Sequence, residues 1–420
     1  MKKTIIFLSL FTALGSVYYF QPVAYEILKL KTFDSFIQEK EESGNFVVLN
    51  ITEEDIANEG GYPLSRQTLA QIHINLLRQG AMGVGWVMAF PQPDRFGGDF
   101  EFTEALKFSP SVLAMFEGKG EYPPTSGTVI LGPEDTGGMM ATGVIQNIDV
   151  LKYNASQGIA VARTDADNLI RRLPLLMRTP DGWVSAYGTE VLKVLAGADT
   201  YVIKTNDNGV EEVRVKGLPP VKTDSLGRKW ISWVVPRETS LAEMDVENKF
   251  VFVGFTAKGI MPQLATPVGL LEPHKIQAAL AESILIQDSP YIPDYALALE
   301  LLIFLFSLVF VWLVLNVFGI TWGVSFFAVV FVSTAFYGVF TIQKGILIDV
   351  SWALVSQFIT ATVAFYIRFR EQYKLRQQIK KQFEHYLDKR QVAILQKSPE
   401  KLKLGGEKRY ATFLFTDVRG

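Results

Sequence analysis

From residue 301 to residue 343 the chain runs without one Asp, Glu, Lys, Arg or His. A bilayer core of about 30 Å is crossed by roughly 20 helical residues, so this run is long enough to cross twice. Asn316, Gly319, Thr321 and Gly323 interrupt its Leu/Phe/Val texture and mark the turn, which predicts spans at residues 296–317 and 321–343. Lys344 and Asp349 predict a short wet connection. Residues 350–367 are again uncharged apart from their flanks, and Arg368, Arg370, Lys374 and Arg376 close this third span as interfacial anchors.

Lys2 and Lys3 open the chain, followed by an uncharged segment to residue 25 with Tyr18, Tyr19 and Phe20 towards its far end. A secretory signal has the same basic start and apolar middle. No good small-x-small cleavage site precedes the aromatic cluster, however, so the segment reads as an uncleaved anchor and a fourth span. The net charge of −2 hides an asymmetry: residues 26–300 hold 24 Lys and Arg against 36 Asp and Glu, whereas residues 368–409 hold 13 against 5. Basic flanks stay in the cytoplasm, so both ends are expected there and residues 26–295 outside the cell membrane. The absence of cysteine excludes disulfides, thiolate metal sites and thiol catalysis, and leaves the outer domain to be held by its core alone.

The outer segment reads as mixed α/β. Residues 46–51 and the apolar run 84–90 are strands on either side of a helix that Ser65 caps and Gly80 stops, with Leu69, Ile72, Leu76 and Leu77 on one face. Strand, helix, strand predicts a parallel pair with a crossover helix. Residues 128–131 form another short strand, residues 173–178 and 183–184 a hairpin across a Thr-Pro-Asp-Gly turn, and residues 250–253 a further buried strand. Helices are expected at 185–195, with Tyr187, Val191, Leu192 and Leu195 inward, and at 276–286. Asp165, Asp167 and Asn168 look like half a calcium loop, but Leu169 and the lack of a late Glu leave the ligand set incomplete, so they read as a turn. His73 falls on the polar flank of its helix and is expected at the surface. Trp86, Trp183, Trp230 and Trp233 are assigned to the core, and Asn154-Ala-Ser156 fits a glycan acceptor.

Phe46-Val-Val-Leu-Asn-Ile-Thr-Glu-Glu, Tyr62-Pro63-Leu64-Ser65-Arg66, Gly80-Ala81 and Phe90-Pro91-Gln92-Pro93-Asp94 carry a likeness: the segment resembles the CHASE2 family of extracytoplasmic sensor domains. It continues downstream in Asp165-Ala-Asp-Asn-Leu-Ile-Arg-Arg-Leu-Pro-Leu175, Lys249-Phe-Val-Phe-Val-Gly-Phe-Thr256 and Thr266-Pro267. Where relatives often carry Asp at the ends of the first two strands, this chain has Thr52 and Val87. Their frequent Glu-x-His-Ala is here Lys275-Ile-Gln-Ala278, so any pocket those groups shape is different. The resemblance implies a sensor without naming its ligand.

Residues 368–397 lack Gly and Pro and place Phe369, Tyr373, Leu375, Ile379, Phe383, Tyr386 and Leu387 mostly three and four apart. That predicts a two-stranded coiled coil or, given the cations of residues 368–381, a helix along lipid headgroups; Pro399 ends it. A strand is expected from Tyr410 into Phe415-Thr-Asp-Val-Arg-Gly420, which resembles the opening of a class III nucleotide cyclase domain. Attack of a ribose 3′-hydroxyl on an α-phosphate needs metal ions to activate that oxygen and to neutralise the departing pyrophosphate. By the resemblance, Asp417 binds Mg2+ or Mn2+ in a two-metal site, Val418 adds its backbone carbonyl, and Gly420 begins a phosphate-facing turn.

The layout so implied is an anchor (1–25), an α/β sensor domain (26–295), three spans (296–368), a cytoplasmic signalling helix with its connector (369–409) and the first strand of a cyclase domain (410–420). It implies a multi-pass adenylate or guanylate cyclase of a bacterial inner membrane. Such a protein works as a homodimer on ATP or GTP, cAMP being the commoner product, and answers an extracytoplasmic ligand; no nucleic acid is expected as partner. The 420 residues alone should be inactive, since the rest of the catalytic domain would follow Gly420. Two rivals stay open: a sensor histidine kinase using His385, which lacks the usual Glu-x-x-x-Pro after it, and a non-enzymatic membrane receptor.

Overall fold

The computed structural model describes residues 2–386 apart from 38, 39, 135, 289 and 319, together with 410, 412 and 414–416. Its principal helices are α1 (Lys2–Phe20), α2 (Val23–Phe36), α3 (Arg66–Arg78), α4 (Tyr187–Leu195), α5 (Pro273–Leu285), α6 (Ala296–Val317), α7 (Ile320–Gln343) and α8 (Ser351–Tyr386). Among the described residues α1, α6, α7 and α8 are long and apolar enough to cross a membrane.

The soluble part is built on one sheet. Its strands are β1 (Phe46–Ile51), β2 (Gly83–Trp86), β3 (Ser111–Glu117), β4 (Val144–Ile145), β5 (Ser156–Ile159), β6 (Glu238–Ser240) and β7 (Phe250–Phe255). The order is β6-β1-β7-β2-β3, all parallel, and β3 also pairs with β5 in parallel and with β4 antiparallel. The expected β1–α3–β2 unit is therefore parallel but not adjacent, because β7 lies between its strands. All six residues of β7 are buried, and a strand that is apolar on both faces belongs in the middle of a sheet.

Alternation along the strands divides the core into two layers. Phe46, Val48, Phe250 and Phe252 pack against α4 and α5; Val47, Leu49, Ile51, Val84, Trp86, Val251 and Val253 pack against α3. Gly254 is small for a reason: a Cβ there would run into the ring of His274 on α5. The strand expected at 84–90 stops at Trp86, and the Phe90 amide is instead drawn to Asn147 Oδ1 at 2.7 Å. Only Leu176–Thr179 of the expected hairpin pairs with Gly182–Ser185; Arg172–Pro174 turns away to pair with Arg228–Trp230. Trp86, Trp183 and Trp230 are buried as expected, and Trp233 is half-buried against the core.

His73 is not at the surface. It is fully buried, its Nδ1 accepting from Trp86 Nε1 at 3.2 Å, because an indole N–H buried in a strand needs an acceptor. His274 is buried too, with Nε2 2.9 Å from Asn50 Oδ1. Burial lowers His73 to about 4, and burial with the Lys275 charge lowers His274 to about 3. The unfolded chain takes up these protons near pH 6.5 and the fold only near 4 and 3, so stability is lost as pH falls through that window, by at most about 3 kcal/mol for His73 and about 5 kcal/mol for His274. Thermal midpoints are thus expected to drop between pH 6.5 and pH 4, less so in His73→Gln; a flat profile in the parent protein would contradict the buried neutral rings.

Towards the membrane, α1 ends at Phe20, and Gln21 (φ 41°) with Pro22 turns the chain into α2. This helix was not expected, and the boundary drawn between residues 25 and 26 falls inside it. The α7–α8 connection, expected to be wet, is exposed at Lys344 but buried in its second half. Leu347, Ile348, Asp349 and Val350 are buried because the chain is pinned to the sensor domain: the Leu347 amide bonds Tyr291 O at 2.9 Å, and the Tyr291 amide bonds Gly345 O at 3.0 Å. The third span and the signalling helix, as far as it is described to Tyr386, are one helix, α8, with Lys3 paired to Glu371 at 2.6 Å and Arg368 bonded to the Asn316 carbonyl at that end. Of the strand expected at residues 410–420, residues 410, 412 and 414–416 carry no regular secondary structure, and the rest lie outside the described residues.

Candidate functional site

In a parallel sheet, ligands bind beyond the carboxyl ends of the strands. Beyond β2 and β7 lies a cleft of about 420 Å³ lined by Tyr62, Leu64, Arg66, Phe90, Asp94 and Phe255. Ser65 caps α3 by accepting from the Thr68 amide at 3.0 Å, which sets Arg66 in the first turn. The Arg66 amide donates to Asp94 at 2.8 Å, and its guanidinium lies 4.2 Å over the Phe90 ring. Asp94 also accepts from the amides of Phe96 (3.2 Å) and Gly98 (3.1 Å). Burial works against its charge, yet those three amides outweigh it and hold the carboxyl below the usual range. The cleft offers an aromatic wall and two arginines, Arg66 and Arg95, suited to holding a small molecule. Thr52 and Val87 do stand at the ends of β1 and β2: Thr52 caps the helix Glu53–Asn58, and Val87 is buried with its amide on Val253 O. No carboxylate enters the cleft from either position.

A second constellation joins this domain to the membrane helices. The fully buried Arg171 donates from Nε and Nη2 to Asp34 (2.8–3.0 Å) on α2, and from Nη1 and Nη2 to both oxygens of Asp167 (2.7 Å). Asp165 stands 3.5 Å away and is held by Arg172, which also reaches Asp224 at 3.5 Å. Burial opposes the Arg171 charge, but Asp167 and Asp34 more than offset it, and Arg171 in turn holds Asp167 below the usual carboxylate range. Beside this clamp Phe33 of α2 meets Trp230 edge-on at 5.8 Å, with Leu30, Ile342 and Leu347 closing the cluster. Lys229, buried next to it, donates to the carbonyl oxygens of Asp288 and Trp230; burial brings its ammonium down to about 7, against the opposing charge of Asp288. The helix α2 thus packs both on the sensor domain and on α7 and α8.

Residues 5–317 match the CHASE2 domain family. The chain belongs to the CHASE2 family. The matched stretch takes in α1 and α6, so in this CHASE2 protein the helices on both sides of the sensor belong to the family's unit. No curated protein and no solved structure matches the chain.

Of the site residues expected from sequence, Asp417, Val418 and Gly420 lie outside the described residues, as does the side chain of His385. Among the described residues no three or more His, Asp and Glu gather as a metal cluster. Asp165, Asp167 and Asn168 do form a turn, with Asn168 at φ 63°, but its carboxylates serve Arg171. The clamp itself was missed in the sequence. Its signal was there in the spacing of Tyr25, Leu30 and Phe33, which buries one face of α2 and presents Asp34.

Proposed function

We propose that this CHASE2 protein is the sensor and transmitter part of a membrane-bound class III nucleotide cyclase, with residues 26–295 outside the cell membrane and both ends in the cytoplasm. The observation that carries the reading is α8. Its 36 residues make a helix roughly 54 Å long, well beyond a bilayer core of about 30 Å, and in the sequence it leads on to the Tyr410–Gly420 segment. Phe369, Tyr373, Leu375 and Ile379 stand exposed on it, which supports pairing with a second copy. A sensed ligand in the cleft beyond β2 and β7 would shift α2 and α6 against α8 and so the mutual orientation of two catalytic domains. There Asp417, with the Val418 carbonyl, would hold Mg2+ or Mn2+, and Gly420 would face the triphosphate of ATP or GTP. The metal ions supply charge neutralisation of the departing pyrophosphate.

Reporter fusions test the placement. A fusion after Gly197 is expected to read outside and one after Ile379 inside; a cytoplasmic reading at Gly197 overturns the topology. Membranes carrying the full-length gene product are expected to convert ATP or GTP to a cyclic nucleotide, and phosphate transfer to His385 in its place would make the protein a histidine kinase.

A further inference from the structure

Glu300 and Asp349 meet where α6 and α8 begin. Glu300 Oε1 accepts from the Asp349 amide at 2.9 Å and from Lys29 Nζ at 3.3 Å, and Asp349 Oδ1 accepts from the Ser351 amide at 2.8 Å. Their other oxygens, Glu300 Oε2 and Asp349 Oδ2, are buried without a hydrogen-bond partner. Ser351 Oγ and Tyr18 Oη are in the same condition, and Tyr18, only 5% exposed, faces both carboxylates from α1. Tyr25 reaches the Asp349 carboxylate from α2 through its phenol, which leaves Oδ2 unmet, and its ring stands 5.7 Å from that of Tyr18. Among the described residues Lys29 is the one cation paired with these two carboxylates, and Tyr18 and Tyr25 are the phenols that face them.

We propose that this cluster binds one monovalent alkali cation at the joint between sensor domain and membrane helices. Charge gives the first reason: one negative charge is uncompensated in a dry place, where an unpaired ion is costly. The second is the donor set. Four partnerless oxygens and no nitrogen or sulfur suit a hard cation. A shared proton would neutralise the pair yet leave Tyr18 and Ser351 unmet. Access is the third: a cleft of about 670 Å³ reaches Tyr25, Lys29 and Glu300 from the membrane face of the sensor. A bound cation would tie α1, α2, α6 and α8 together, so its presence sets how stiffly the sensor is coupled to α8. This inference is independent of the catalytic reading.

The test is a thermal melt of the full chain in nanodiscs at constant ionic strength, with NaCl or KCl replacing choline chloride. Saturating Na+ or K+ is expected to raise the midpoint by roughly 5 °C over choline. Glu300→Gln removes the surplus charge and should abolish the difference. Should that variant fail to fold, Tyr18→Phe keeps every charge, removes one oxygen, and should raise the half-saturating cation concentration about tenfold. Equal midpoints in choline and alkali salts, a response that follows pH alone, or a full cation response in Glu300→Gln would each overturn the site.

Discussion

Arg171→Met is expected to cost the fold about 3–5 kcal/mol and to lower its thermal midpoint by roughly 10 °C. The side chain is fully buried between Asp34 and Asp167, and its removal strands two carboxylates that were brought together only to meet it. Arg171→Lys should rescue little, since a point charge cannot fork to Asp34 and Asp167 at once. Arg237→Met is the contrast: Arg237 and Asp245 are 48% and 60% exposed, and such pairs contribute less than about 1 kcal/mol. Because Asp34 sits on α2, hydrogen exchange at the amides of residues 30–36 should also speed up in Arg171→Met. Parent and variant melting within a degree of each other would show that the clamp does not join α2 to the sensor.

On the proposed cyclase reading, Asp417→Asn in the full-length protein should lower cyclic nucleotide synthesis on the order of a thousandfold, at least about 4 kcal/mol in the barrier. The substitution keeps the size and removes the charge, and charge is what holds divalent ions beside a triphosphate. Protein level and melting midpoint should stay as they were. The assay is conversion of ATP and GTP with Mg2+ or Mn2+ by membranes carrying parent, variant or the 420-residue chain. Activity surviving in the variant, or found in the 420-residue chain, would remove Asp417 from the metal site.

Features set by local period and length were readable in advance. The spans followed from uncharged runs, and α3 from Ser65 and the spacing of Leu69, Ile72 and Leu76, because helix burial repeats within a few residues. The neighbours of those elements were not readable. Nothing near residues 46–51 or 83–86 announces that residues 250–255 will lie between them, so the cleft formed with Phe255 was hidden as well. His73 misled for a related reason: helix position suggested exposure, while the indole it satisfies arrives on another element. Asp349 misled through its charge, which reads as a mark of water until Glu300, Tyr18 and Tyr25 are seen around it.

The place of β7 has a kinetic side. Its six residues reach the sheet about two hundred positions after β1, and at roughly 5–20 residues per second of synthesis that is a wait of roughly 10–40 s. Until then β1 and β2 each show an open, apolar edge, the kind that recruits foreign strands. A nascent chain halted before Phe250 has no route to the native sheet, however much of its sequence has been made. The domain must close around its last strand rather than grow from its first, and slow folding with a need for protection while the edges are bare is the behaviour such a topology dictates.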